Sequence, residues 1–334
     1  MPKWKSTIWV SPNISVSVDM LFSRRLVSTN HITATATNLI EVVTDASDVS
    51  SNPSYVPACF SSNMDKMNYI DRLTNVILYT ITSYLTKFVS EPAAQSLQYY
   101  LPIKFNFIDA VRESSLFLVN SDELLDFPRL INRKIIFIGR IGIPEVKALN
   151  QDYRSTVEHS EGGVVLVSFG SLVKSEGMSV ENRKIFEDAF CQLPKLSSKN
   201  KVLDRDQKVL TGEVLDTGKK GEFLLKITFL WKFENEGEGE EKGIANSSNI
   251  DHRKLLTFIS HCGLNSLIES VNAEVPLICM PLFADQFRNA MTAKNRNVAI
   301  VLSKENLTTD GLVSAVRAII YEDRLIILYL LISI

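Results

Sequence analysis

The stretch FISHCGLNSLIESVNAEVPLICMPLFADQ, residues Phe258 to Gln286, compresses a strand, a polar turn, a helix and a second strand into one unit. The apolar run Leu255–Ile259 stops at Ser260-His261-Cys262-Gly263. A helical pattern then runs through Ala273, and Pro276–Leu282 resumes as a buried strand. Such a βαβ corner turns backbone N–H groups and the positive end of a helix dipole towards an anion, so the pattern points to phosphate binding. Many parallel sheets use the same corner for structure alone. On that plainer reading His261 is a turn residue, Glu269 a solvated helix position and Asp285 a helix cap.

Other segments narrow the choice. Gly163–Ser171, GVVLVSFGS, is an apolar strand ending in small residues that let a backbone approach a phosphate closely. Ser115–Pro128 (SLFLVNSDELLDFP), Ile135–Gly142 (IIFIGRIG), Pro53–Ala58 (PSYVPA) and Asp65-Lys66-Met67 precede it. With the order His261, Gly263, Asn265, Ser266, Glu269, Pro276, Pro281, Asp285, Gln286, these segments make the chain resemble the UDP-glycosyltransferase family, most closely the animal UDP-glucuronosyltransferases. The resemblance implies two Rossmann-like α/β domains of GT-B type, the N-terminal one incomplete and the C-terminal one a doubly wound parallel sheet. It implies that Ser168, Gly170, Ser171, His261, Gly263, Asn265 and Ser266 surround the diphosphate. Glu269 would take the ribose hydroxyls, and Asp285 with Gln286 the sugar hydroxyls. These residue types suit those tasks: N–H groups donate to phosphate oxygens, and a carboxylate accepts paired hydrogen bonds from a diol.

Independently of the resemblance, strands and helices alternate from Gly163 onward: GVVLVSF, a helix near Val180–Gln192, ITFLWKF, LLTFIS, a helix over 265–273, PLICMPL, a helix near Gln286–Asn295, VAIVL, and a helix near Gly311–Tyr321. That order predicts a parallel sheet with its ligand at the carboxyl ends of the strands. The chain divides into residues 1–145, a partial acceptor-side domain; 146–162, a linker; 163–324, the UDP-sugar-binding domain; and 325–334, an apolar tail. Within the third part, Lys195–Lys226 is polar and reads as an inserted, exposed loop. Glu234–Asn249 is acidic, Gly/Ser-rich and reads as a solvated linker. Upstream, Ile70, Leu73, Ile77, Ile81, Tyr84, Leu85 and Phe88 recur three or four apart, an amphipathic helix for which core packing is the first reading and a membrane surface the second.

With 45% apolar residues in 334 the chain can bury a core, and a net charge of −2 gives no case for nucleic-acid binding. Cysteines 59, 191, 262 and 279 form no CxxC pair and no metal-ligand spacing with the four histidines, which argues against zinc. Cys191 and Cys279 lie in apolar runs and read as core residues. The N-terminal segment lacks the apolar run of a secretory signal. Leu325–Ile334 is too short to span a bilayer, which takes about 20 residues. Triplets at Asn13, Asn246 and Asn306 have the form of glycosylation acceptors.

Three departures bear on activity. The family usually has His-Gly-Gly where this chain has His261-Cys262-Gly263. A Trp-x-Pro-Gln element, whose Trp stacks on uracil, does not occur, and Trp231 reads as a packing residue. His31 has no matching context for the general base, so no catalytic residue is assigned. The resemblance implies transfer of a sugar, first of all glucuronic acid, from a UDP-sugar co-substrate to the hydroxyl of a small lipophilic acceptor, with inversion and with no cofactor or metal. It places the protein at the lumenal side of the endoplasmic reticulum membrane and allows association with homologous chains. A catalytically silent donor-binding or partner-binding homologue, or a fragment without function, stays open beside it.

Overall fold

The computed structural model describes residues 7–11, 14–17, 32–49, 51–98, 107–139, 141, 151–160, 162–170, 175–193, 199–203, 207–211, 227–232 and 254–321. Ser171, His31, Asn13, Asn246, Glu234–Asn249 and Leu325–Ile334 lie outside the described residues. The chain forms two compact units, the first from Met1–Gly142 with Phe283–Thr292, the second from Ile143–Leu282 with Ala293–Ile334.

The first unit runs β1 (Thr7–Ser11), β2 (Ile14–Ser17), β3 (Ile32–Thr35), α1 (Glu41–Ala46), α2 (Tyr69–Gln98), α3 (Phe107–Arg112), β4 (Leu116–Val119) and β5 (Ile135–Phe137). Its strands pair in chain order. β1, β2 and β3 are antiparallel neighbours, while β3, β4 and β5 run parallel with Ala34 beside Leu118 and Leu118 beside Ile136. Leu39, Val42, Val43 and Ala46 of the α1 region pack with Val111, Phe117, Val119 and Ile135 as one core.

Helix α2 is turned the other way from the core-packing expectation. Ile70, Leu73, Ile77, Ile81, Tyr84, Leu85 and Phe88 are all exposed, whereas Asn75 and Thr82 are buried. The physical reason is Asn75: its Nδ2 donates to the carbonyls of Pro53 and Val56, and its Oδ1 accepts from the N–H of Ala58. Three hydrogen bonds to a buried loop backbone outweigh an apolar contact at that position, because each unmade bond would leave a desolvated polar group. The helix therefore docks through its polar side.

In the second unit α4 (Gln151–Glu158) leads into β6 (Val164–Ser168), α5 (Val180–Gln192), β7 (Lys199–Leu203), β8 (Gln207–Thr211), β9 (Thr228–Lys232), β10 (Leu255–Ser260), α6 (Leu264–Asn272), β11 (Leu277–Cys279), α7 (Gln286–Asn295), β12 (Ala299–Val301) and α8 (Thr309–Tyr321). The sheet order is β12-β11-β10-β6-β9-β8-β7. Neighbours from β12 to β9 are parallel, and β8 and β7 add an antiparallel hairpin at one edge. That hairpin corrects the loop expectation for the described parts of Lys195–Lys226, residues 199–203 and 207–211. β9 offers an open edge of backbone donors and acceptors, and a segment returning towards it is held by ladder bonds whatever its polarity.

β6 is buried along its whole length. One face of the sheet carries Phe186 and Phe190 from α5 with Phe229 and Trp231 from β9, Phe190 stacking on Phe229 at 4.1 Å. α8 adds Leu312, Val316 and Ile319 to the same cluster. Trp231 is 1% exposed and its Nε1 donates to Ser175 Oγ at 3.2 Å, so it is a packing residue, as its sequence context suggested. Cys191 is exposed, contrary to the core reading, because it sits on the outer side of the last turn of α5.

Candidate functional site

The parallel strands of the second unit, taken by position in the sheet, run second, first, third, fourth, fifth in chain order. The chain leaves β6 on one side for β9 and returns on the other side for β10, so the connections after β6 and β10 diverge. In open α/β sheets ligands bind at such a switch point. Ser168 at the end of β6 pairs with Ser260 at the end of β10. The two segments singled out in the sequence therefore emerge side by side.

Both turns are built from small residues with internal bonds. Gly170 (φ +82°) donates its N–H to Ser168 Oγ at 3.4 Å, and the Cys262 N–H donates to Ser260 Oγ at 3.2 Å. The His261 ring fills the space between them. A Cβ on Gly170 would stand 2.8 Å from its Cε1, and a Cβ on Gly263 would stand 2.7 Å from its Nε2. Glycine at both positions is thus what admits the imidazole, and at Gly170 the left-handed backbone demands it as well. Gly263 caps α6 without a side-chain hydrogen bond. The amides of that first turn face the end of the helix with the dipole behind them, where an anion is stabilised. Asn265 is exposed, and Ser266 and Glu269 are partly buried on successive turns of α6. Asp285 and Gln286 belong to the first unit and Ser171 is outside the described residues.

Burial lowers the His261 pKa from 6.5 to about 4, so near neutral pH it offers an N–H, not a positive charge. The folded value lies below the unfolded one. Stability therefore declines as pH falls from 6.5 towards 4, where the unfolded chain binds a proton that the native ring refuses. A His261→Gln variant is expected to flatten that part of the stability profile, by at most about 1.4 kcal/mol per pH unit. Equilibrium unfolding at a series of pH values reads it, and parallel profiles for the two proteins would place the acid sensitivity elsewhere. Burial likewise raises the pKa of Glu269, and of Asp285 against an opposing hydrogen bond from Asn289.

Cys262 has φ +59°, a left-handed conformation that favours glycine, and it is disulfide-bonded to Cys279 at the end of β11. Cys279 is buried in the core, as its apolar run suggested, and the bond adds a crosslink that the sequence reading did not include. The bond ties the turn after β10 to the neighbouring strand, beside the Met280 N–H that donates to the Ser260 carbonyl. Two cysteines at neighbouring strand ends were the available signal. No group of His, Cys, Asp or Glu among the described residues could hold a metal ion.

A family model described as UDP-glucoronosyl and UDP-glucosyl transferase matches residues 25–327. Among curated proteins, UDP-glucuronosyltransferase 1A1 of Rattus norvegicus is 30% identical over 274 residues, covering 80% of this chain and 45% of the relative. UDP-glucosyltransferase 2 of Dactylopius coccus is 28% identical over 279 residues, covering 81% and 48%. The chain thus spans about half the length of the curated relatives it matches. Among solved structures, the glycotransferase of kitacinnamycin aligns with TM-score 0.47 and 16% identity, covering 79% of this chain and 62% of that one.

Proposed function

Because the chain belongs to the UDP-glucuronosyl and UDP-glucosyl transferase family, we propose that residues 163–324 hold the nucleotide of a UDP-sugar and that the protein transfers the sugar to a hydroxyl of a small lipophilic acceptor. The observation that carries this reading is the meeting of the Ser168–Gly170 and His261–Gly263 turns at the switch point of the second sheet. There the amides at the start of α6, together with the neutral His261 N–H, donate to diphosphate oxygens. As UDP departs, negative charge grows on those oxygens, and donors already in place stabilise it without reorganising. Glu269, one turn along α6 from Asn265, accepts from the ribose diol. Asp285 and Gln286 take the sugar hydroxyls, glucuronic acid being the first candidate sugar. The base that takes the acceptor proton is not assigned to any residue.

The lumen of the endoplasmic reticulum is the compartment that fits this reading. The Cys262–Cys279 disulfide supports it, since such bonds persist where conditions are oxidising. No described helix is long and apolar enough to cross a membrane.

Calorimetric titration with UDP tests the donor site. Saturable binding by the wild type, weakened about tenfold or more in Glu269→Ala and in His261→Ala, is the expected result, since a hydrogen bond to a charged group contributes about 1.5–3 kcal/mol. A folded, monodisperse wild type that ignores UDP would overturn the reading.

A further inference from the structure

The first unit contains a chain of three polar side chains that ends on Asp285. Asn38, between β3 and α1, donates its Nδ2 to Asn289 Oδ1 at 2.7 Å, and Asn289 donates its Nδ2 to Asp285 Oδ2 at 2.9 Å. Asn38 and Asn289 are 2% and 0% exposed. The direction of the chain is fixed by chemistry. An ionised carboxylate only accepts, so Asn289 must turn its amide nitrogen to Asp285 and its oxygen away. Asn38 meets that oxygen with an N–H, which disfavours the flipped amide that would set oxygen against carboxylate.

The turn before α7 is prepared in the same sense. Ala284 has φ +55°, a conformation that L-residues adopt at a cost and that recurs where a backbone is held for function. Gln286 Oε1 accepts from the Phe283 N–H at 3.1 Å, and the Asn289 N–H donates to the Asp285 carbonyl at 2.9 Å. Each end of the Asp285-Gln286 pair is therefore set by a neighbour before any ligand arrives.

We propose that Asn38 and Asn289 are positioning residues for recognition of the donor's sugar, acting through Asp285 and touching no ligand themselves. The proposal rests on the reading of Asp285 as the acceptor of sugar hydroxyl hydrogen bonds. A carboxylate held in one rotamer accepts two vicinal O–H groups without losing freedom on binding, whereas a loose one surrenders that freedom each time. Arg288 is the charged group that acts on Asp285, lowering its pKa alongside the Asn289 hydrogen bond, while Asp285 in turn raises the pKa of the buried Cys59.

The test compares UDP with UDP-glucose by calorimetry on the full chain, for the wild type, Asn289→Leu and Asn38→Asp. The first variant removes the donor to Asp285 at similar volume. In the second an acceptor faces Asn289, which favours the flipped amide. The expected result is UDP affinity within about twofold of wild type and UDP-glucose affinity lowered about tenfold, the scale of one charge-assisted hydrogen bond. Equal loss for both ligands, or for neither, in whichever variant retains the wild-type unfolding transition would overturn the proposal. If the wild type binds no UDP, the donor-site reading itself falls, and the two failures stay distinct.

Discussion

Asp126→Asn is expected to lower the stability of the first unit by about 3–5 kcal/mol, the scale of breaking a buried ion pair by removing one partner. Asp126 is 2% exposed and lies between two buried guanidinium groups. Arg288 donates to Oδ1 at 2.5 Å, and Arg129 stands 3.6 Å from Oδ2. The amide removes the one carboxylate that both cations share, leaving Glu41 to act on Arg129 and Asp285 on Arg288. Burial lowers the Arg129 pKa and Asp126 opposes that shift, so the carboxylate is what keeps this cation tolerable. Arg288→Met is expected to cost less, since Asp126 keeps Arg129, and the guanidinium over the Phe127 ring gives way to a thioether, which packs well on an aromatic face. Denaturant midpoints for the two variants check the order. If Arg288→Met proves the more damaging, packing of the long side chain, and not compensation of charge, dominates there.

The second sheet was legible because its signals are local. LLTFIS gives β10, Val180–Gln192 gives α5, and each apolar run ends at a polar turn that can be seen without knowing what lies across the sheet. The candidate donor turns followed for the same reason. What escaped were choices made over distance. Periodicity along Tyr69–Val89 yields a stripe but not the side that docks, and Asn75 decided that through backbone groups at residues 53 to 58. The polar 195–226 segment contains no strong strand pattern, yet the open edge of β9 gives two parts of it ladder partners. Nothing around Asn38 distinguishes it in sequence, since its partner Asn289 is 251 positions away.

The disulfide is another long-range choice, and it carries the second large expectation. Cys262 and Cys279 are 17 positions apart, and closing a loop of about 15 residues in the unfolded chain contributes about 3 kcal/mol on the chain-entropy account. Cys279→Ser should therefore lower the stability of the second unit by roughly that amount. Cys262→Gly breaks the same bond but places glycine where φ is +59°, and relief of the left-handed strain returns about 1–2 kcal/mol. The glycine variant should be the milder of the two, although both lose the same crosslink. Thermal unfolding of wild type, Cys279→Ser and Cys262→Gly measures the difference, with thiol alkylation and mass spectrometry to establish that the wild-type bond is closed. Equal losses would mean that the turn keeps its conformation at no cost. A wild type with both thiols open to alkylation would remove the brace altogether, leaving Ser260, Gly263 and the His261 ring to define the turn.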